Sequence, residues 1–348
     1  MSRTDTGRLR IIEFKKILEH PFGVGQSTTA VSRSVLIECE GSWGEAAPSQ
    51  MYGETIESVM AVLSKPLPGF PDGDEDPGAY LDEAAAGELG RNRSALAALD
   101  MLLYDRWARA KGQPLWRLLG VERENLPVSS FTIGIDDIET MLGRIQTAGT
   151  RSPVLKIKLG RHPDQDAETM RAIRSAAPDK VLRVDANQGW SLAQAERLIP
   201  AMAELGVEFV EQPLPRGAVD EMRRLKDISP LPLYLDEDCH TAGQIPSLAS
   251  MAHGVNVKLV KSGGIREAVR IVEAARSHGL GLMIGCMVET SAGITAAAHI
   301  GPLFDHIDLD GHVLIANDPF EGCGWEGGKL MLGDSPGLGV TLRPGVSL

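Results

Sequence analysis

Two lysines alternate with apolar residues in a short run near the middle of the chain. Residues 154–159 read Val-Leu-Lys-Ile-Lys-Leu. In an extended strand this alternation places Lys156 and Lys158 on one face and Leu155, Ile157 and Leu159 on the other. A buried lysine is costly unless negative charge compensates for its desolvation. The strand therefore requires carboxylates nearby or a chemical function for its two amines.

Three carboxylates supply that negative charge at regular spacing. Asp185, Glu211 and Asp236 each end a short apolar run, and they are 26 and 25 residues apart. That separation is about the length of one strand–helix unit, so the three side chains should lie at equivalent heights on neighbouring strands. Three oxygen donors on one rim make a site for a hard cation such as Mg²⁺. Lys258 ends the next predicted strand, 22 residues after Asp236.

The elements that must position these residues form a repeating pattern. From about residue 126, short β-branched runs alternate with helical runs, including helices at 167–176, 192–205 and 265–278, and this predicts a parallel sheet closed as a barrel. Residues 8–125 instead indicate an α+β block with strands at 9–18 and 31–40, a loop at 20–28, and helices at 55–63 and 91–111. The predicted barrel strands are residues 128–134, 154–159, 181–185, 209–211, 233–236, 255–259, 281–284 and 306–309.

Composition narrows the class of protein. The chain has 348 residues with a net charge of −12 and a pI of about 5.2, which argues against nucleic acid and anionic membranes as partners. The sequence has no apolar run of membrane-spanning length and no secretion signal at its beginning. Its four cysteines form no C-x-x-C pair, so a zinc site or a disulfide framework is not expected. We therefore expect a cytoplasmic protein.

Five motifs together resemble the signature of the muconate-lactonizing subgroup of the enolase superfamily, and the resemblance covers nearly the whole chain. It implies an α/β fold, a (β/α)7β TIM-like barrel at 126–324, with an α+β capping domain built from residues 1–125 and a C-terminal tail, 325–348. It also implies that the three carboxylates bind one Mg²⁺, that Lys158 and Lys258 are an acid/base pair, and that Lys156 stabilises an enolate oxygen. The motifs are Lys156-Ile157-Lys158, Asp185-Ala186-Asn187, Glu211-Gln212-Pro213, Asp236-Glu237-Asp238 and Asn256-Val257-Lys258.

Elementary chemistry agrees with this resemblance. Removal of a proton beside a carboxylate creates an enediolate dianion, and a divalent cation on the carboxylate oxygens spreads that charge. A lysine can act as the base, and a nearby cation should lower its pKa toward neutrality. The second and sixth strands lie across the barrel from each other. Lys158 and Lys258 can therefore face opposite sides of one carbon, which suits inversion of its configuration.

A further motif indicates one branch of the family. Asp308-Leu309-Asp310 resembles the Asp-x-Asp motif of the dipeptide epimerases, which holds the α-ammonium group of the substrate. The resemblance implies a dipeptide substrate, with L-Xaa-L-Yaa converted to L-Xaa-D-Yaa. Thr132 and Glu289 are also assigned to the substrate, although Glu289 could equally form an ordinary ion pair. Asn187 and Glu237 are expected behind the metal ligands, and the role of Lys261 stays open.

The loop at about residues 18–30 is expected to cover the substrate. In the Ala-Glu epimerases of this family an arginine in the loop contacts the glutamate side chain. Here no arginine or lysine lies between Lys16 and Arg33, and Phe22 and Val24 indicate an uncharged side chain at the epimerised residue.

Other enzymes on the same scaffold remain alternatives, namely N-acylamino-acid racemases and o-succinylbenzoate synthases. A non-catalytic binding barrel is a further alternative, and it would show no Mg²⁺ affinity. The expected partner is the small dipeptide, and a homo-oligomer is expected.

Overall fold

The computed structural model describes residues 3–5, 9–24, 27–148 and 151–348. Its larger part is a sheet of eight parallel strands that follow one another in chain order. A parallel bridge between Ser129 and Ile307 brings the eighth strand beside the first, so the sheet nearly closes into a barrel. All eight predicted strands are present, with ends shifted by a few residues. They are Phe131–Ile133, Val154–Lys158, Val181–Asp185, Val207–Glu211, Leu233–Leu235, Gly254–Val257, Gly281–Gly285 and His306–Asp308.

Helices follow the first seven strands and pack against the sheet. Leu192–Glu204 is typical, because Ser191 and Gln194 form a capping box and the buried Leu198 and Met202 lie one turn apart. After the eighth strand the described chain forms no further α-helix; it continues with the 3-10 turn Gly311–Leu314 and short C-terminal strands. The (β/α)7β prediction is thus confirmed. The helices are Ile138–Ala148, Pro163–Ala176, Leu192–Glu204, Val219–Ile228, Ile245–Leu248, Leu259–Ser262, Ile265–Ser277 and Ser291–Ile300.

The N-terminal part is an α+β unit that covers the carboxyl-terminal rim of the barrel. Its long helix begins after Asn92, whose side chain accepts a hydrogen bond from the Ala95 amide at 3.0 Å. Four antiparallel strands form its sheet, Arg3–Asp5, Arg10–Val24, Ser27–Cys39 and Ser42–Ala46. Its helices are Ile56–Leu63, Gly78–Ala86, Arg93–Ala110 and Leu115–Leu118.

The predicted loop at residues 20–28 is wrong for most of its length. Strand pairing resumes at Phe22–Thr29 and Gly23–Thr28, after a register shift that lets the chain pass Pro21. Gly23 is required because its carbonyl accepts a hydrogen bond from the Ile135 amide at 2.9 Å, and a Cβ there would lie 2.1 Å from the Ile135 oxygen. Gly23 thus serves a strand pairing that docks on the barrel. Residues 25 and 26 and the side chain of Val24 lie outside the described residues.

The C-terminal segment contacts both parts of the molecule. The Leu338 amide donates to Asp105 Oδ1 at 2.7 Å, in the long helix of the N-terminal unit. The Gly328 carbonyl, in the hairpin formed by Gly324–Glu326 and Lys329–Met331, accepts from the Ser129 amide of the barrel at 2.8 Å. A second short pairing joins Phe320–Glu321 to Thr341–Leu342. The domain boundaries at 125 and 324 stay predictions. Among the described helices, none has the length and apolar character needed to cross a membrane.

Candidate active site

The second barrel strand directs both of its lysines into the barrel. Lys156 is 1% exposed, and its Nζ lies 2.7 Å from Glu211 Oε2, 2.8 Å from Asp308 Oδ2 and 3.2 Å from Asp185 Oδ2. Lys158 lies nearer the rim, with Nζ 2.6 Å from Asp185 Oδ2. The expectation that carboxylates compensate for the buried lysines is therefore met by contacts from three other strands.

Asp185, Glu211 and Asp236 form one buried acidic cluster. Each offers a carboxylate oxygen, and these oxygens lie within 4.8 Å of one another. Burial and the charge on Asp185 raise the pKa of Glu211 to about 7. At Asp185 burial acts in the same direction, but the charges on Lys158 and Lys156 together outweigh it and lower the pKa to about 2. Three hard oxygen donors this close to one another fit a divalent cation such as Mg²⁺.

Two further lysines, just after the sixth strand, contact the cluster. Lys258 Nζ lies 2.7 Å from Asp236 Oδ2, and Lys261 Nζ lies 2.7 Å from Asp236 Oδ1. Lys261, whose role the sequence left open, therefore contacts a predicted metal ligand. It also donates a hydrogen bond to the Asn256 carbonyl at 2.9 Å. Burial alone would lower the pKa of Lys258, but Asp236 raises it well above its ordinary value. The pKa of Lys258 is therefore raised by its carboxylate partner, whereas the sequence led us to expect a lowered lysine pKa.

Asp308 and Asp310 converge on the first strand. The Thr132 amide donates to Asp310 Oδ2 at 2.6 Å, and the Thr132 hydroxyl donates to Asp308 Oδ1 at 3.4 Å. Ser130 also donates to Asp308. Burial and the neighbouring Asp308 charge raise the pKa of Asp310 to about 7. The two carboxylates together can therefore carry more negative charge than Lys156, which contacts Asp308, balances.

Asn187 and Glu237 lie beside the metal carboxylates, as expected. The backbone N–H of Asn187 donates to Asp185 Oδ1 at 2.9 Å. The φ of Asn187 is 45°, which asparagine tolerates better than most residues. Burial and Asp236 raise the pKa of Glu237 to about 8. Its Oε2 is buried without a hydrogen-bond partner among the described residues.

Glu289 lies beside Lys16 and Glu45, which matches the ion-pair alternative, and its assignment to the substrate stays a prediction. Its Oε1 accepts a hydrogen bond from the Met287 amide at 2.8 Å, so the carboxylate turns back toward its own segment. Behind it lies Lys16, which is fully buried, donates to the Val288 carbonyl and lies 3.5 Å from Glu45 Oε1. Glu289 therefore belongs to a buried charge network between the N-terminal sheet and the barrel.

A cavity of about 630 Å³ opens above the acidic cluster. Sequence reasoning missed Tyr52, which packs edge-on against His240 at 5.0 Å between ring centroids, because no motif surrounds it. Asn256 belongs to one of the five motifs, but the sequence assigned it no role. Its side chain donates to Glu211 Oε1 at 2.8 Å. The predicted site residues that line the cavity are Phe22, Thr132, Lys158, Asn187, Glu237, Lys258, Asp308 and Asp310. Its apolar lining is Phe22, Ala47, Pro48, Met51, Tyr52, Met287, Val288 and Leu314.

Comparison with known proteins agrees with this geometry. A family model described as enolase C-terminal domain-like matches residues 141–346. The chain belongs to the enolase superfamily, and it is an isomerase of the racemase and epimerase class.

Within this superfamily, the chain is similar to several dipeptide epimerases. The chain is 42% identical to the hydrophobic dipeptide epimerase of Roseobacter litoralis, over 86% of this chain and 88% of the relative. It is 37% identical to the L-Ala-D/L-Glu epimerase of Bacteroides thetaiotaomicron, over 96% and 87% of the two chains. A solved dipeptide epimerase from Methylococcus capsulatus, in complex with Mg and L-Arg-D-Lys, superposes with a TM-score of 0.85 at 31% identity. That match covers 98% of this chain and 100% of the other.

Proposed function

We propose that this protein is a dipeptide epimerase that converts L-Xaa-L-Yaa to L-Xaa-D-Yaa. The observation that carries the proposal is one cavity bordered by Lys158 and Lys258 at its floor and by Asp308 and Asp310 at its side. The first pair suits proton exchange at a carbon next to a carboxylate. The second pair suits a free α-ammonium group, which N-acylated amino acids lack.

The two lysines perform the proton exchange. Their strands are four places apart in the eight-strand order, so the amines approach from opposite sides of the barrel. One amine removes the α-proton of the second residue, and the other donates a proton to the opposite face. Mg²⁺ bound by the three carboxylates would supply Lewis-acid stabilisation of the negative charge that develops on the substrate carboxylate. Lys156, held beneath the rim between Asp185 and Glu211, adds positive charge near the same oxygens.

The side chain of the epimerised residue is proposed to be uncharged. Most of the cavity lining above the lysines is apolar, and its remaining cation among the described residues, Arg33, donates to Glu13 at 2.6 Å. Within the described lining of this cavity, no cation without a carboxylate partner is therefore left to bind an acidic side chain. The name of the Roseobacter litoralis relative, a hydrophobic dipeptide epimerase, supports this choice.

The test is isotope exchange with a dipeptide library in D₂O and Mg²⁺. Deuterium should enter the C-terminal residue, with apolar residues preferred. Lys158→Ala and Lys258→Ala should each lose epimerisation by about 10²- to 10⁴-fold, the usual effect of removing a general base. Each variant should retain exchange with only one configuration of the second residue. Exchange with N-acylamino acids and with no dipeptide would refute the proposal.

We also propose a cytoplasmic location and a homo-oligomeric state. None of the four cysteines forms a disulfide in the described chain, and three of them are buried. That use of cysteine is typical of a reducing compartment. Ultracentrifugation of the purified protein would test the oligomeric state.

A further inference from the structure

A second, smaller cavity lies directly behind the predicted ammonium clamp of Asp308 and Asp310. It has a volume of about 140 Å³ and lies between the hairpin, the first barrel strand and the helix Ile138–Ala148. It shares three lining residues with the large cavity, Phe22, Thr132 and Leu314. These three residues therefore border both spaces.

We propose that this small cavity is the subsite for the side chain of the N-terminal residue of the dipeptide, and that it selects a large apolar or aromatic side chain. The inference rests on the proposed function, because it places the α-ammonium group on Asp308 and Asp310. Thr132 hydrogen-bonds both carboxylates and also lines the small cavity. The α-carbon that carries the ammonium group is then next to the partition formed by Phe22 and Leu314.

The size and walls of the cavity define the ligand. An apolar cavity of about 150 Å³ holds benzene, so 140 Å³ accommodates a phenyl or branched aliphatic group. The buried walls are Phe131 and Ile133 of the first strand, with Phe22 and Leu314 at the partition. Entry of an apolar side chain therefore removes the apolar surface of these walls from water.

The charges at the outer end of the cavity are already paired with one another. Arg144, Arg151 and Glu19 line the cavity, and Arg151 lies over the Phe131 ring at 5.5 Å from its centroid. A charged side chain of either sign therefore gains little there, because each arginine already has a carboxylate partner. Arg144 lies 2.8 Å from Asp136, and Arg151 lies 3.5 Å from Glu19.

The experiment holds the second residue constant and varies the first. Gly-Leu, Ala-Leu, Leu-Leu and Phe-Leu compete in one D₂O reaction with Mg²⁺, and mass spectrometry of the deuterated leucine gives relative kcat/KM values. We expect Leu-Leu and Phe-Leu to exceed Gly-Leu by about 10- to 100-fold, as burial of one large apolar side chain implies. A Phe-Leu to Gly-Leu ratio of one or less overturns the subsite.

A cavity-filling variant locates the effect. Thr147 lies on the exposed side of the helix and lines the small cavity but not the large one, so Thr147→Phe should fill the space and lower the Phe-Leu to Gly-Leu ratio at least five-fold. Gln146→Phe adds the same ring at the next, exposed position outside both cavities and should leave the ratio unchanged. An unchanged ratio in Thr147→Phe, or an equal fall in Gln146→Phe, overturns the inference. Exchange of Gly-Leu without this selectivity would leave the proposed function intact, whereas no exchange with any of the four dipeptides would overturn both.

Discussion

The buried lysine between the N-terminal sheet and the barrel offers the sharpest test of how the two parts are joined. Lys16 is fully buried and donates to Ser34 and to the Val288 carbonyl, with Glu45 Oε1 at 3.5 Å. Burial lowers the pKa of Lys16 despite the opposing charges of Glu45 and Glu289. The perturbation is Lys16→Met, which keeps the length of the side chain and removes its charge.

The size of the effect follows from what the substitution leaves behind. Glu45 is also fully buried, and it accepts hydrogen bonds from Ser34 at 2.6 Å and from the Thr290 amide at 2.9 Å, so it cannot turn toward water. Removal of one partner of a buried ion pair costs about 3–5 kcal/mol. With an unfolding entropy of about 2.1 cal/mol/K per residue, that cost lowers the Tm of this 348-residue chain by about 4–7 °C.

The assay is thermal unfolding by calorimetry, with two reference variants. Lys15→Met removes the same charge from the neighbouring, exposed position of the same strand and should change the free energy of unfolding by no more than about 0.5 kcal/mol. The double variant Lys16→Met/Glu45→Gln removes the uncompensated carboxylate and should recover most of the lost stability. Because Lys16 holds the backbone of Val288, which lines the substrate cavity, Lys16→Met should also raise KM more than it lowers kcat.

Two results would refute this reasoning. If Lys16→Met and Lys15→Met unfolded at the same temperature, the buried pair would contribute nothing to stability. If the double variant were less stable than Lys16→Met, the cost would come from lost packing and not from an unpaired carboxylate.

Three other predictions concern the site. Asp310→Asn should lower dipeptide exchange by about 10- to 100-fold, which is the effect of losing one charge-assisted hydrogen bond. Any turnover of N-acylamino acids should fall less, and equal losses for both substrates would contradict ammonium binding. Mg²⁺ at a hundred times its Kd should stabilise the fold by about 2.7 kcal/mol, and Glu211→Gln should reduce this gain in calorimetry; an unchanged gain would place the metal elsewhere. Burial and Glu45 raise the pKa of Glu289 to about 7, so the folded state binds the extra proton and this residue's contribution to stability falls as pH rises from about 4.5 to 7. Urea unfolding at pH 5 and pH 8 should therefore show a smaller loss for Glu289→Gln than for wild type, and equal losses would contradict the shift.

The catalytic floor of the site could be predicted from the sequence because local rules decide it. Alternation along one strand directs Lys156 and Lys158 to the same side, and parallel strands of a barrel present their carboxyl ends at one rim. Regular spacing was therefore enough to bring Asp185, Glu211 and Asp236 together.

Contacts between distant parts of the chain were decided only by the tertiary structure. The 20–28 segment contains the proline and glycines of a loop, yet it pairs as a hairpin because Gly23 meets the backbone of Ile135. The sequence carried no signal that Glu289 is buried beside Lys16, since the contact of Lys16 with the neighbouring Val288 carbonyl joins segments more than 270 residues apart. The two cavities likewise exist only because the N-terminal unit packs on the barrel rim. Periodicity reports which face of an element is buried, whereas the partner on that face is chosen by the packing of the whole molecule.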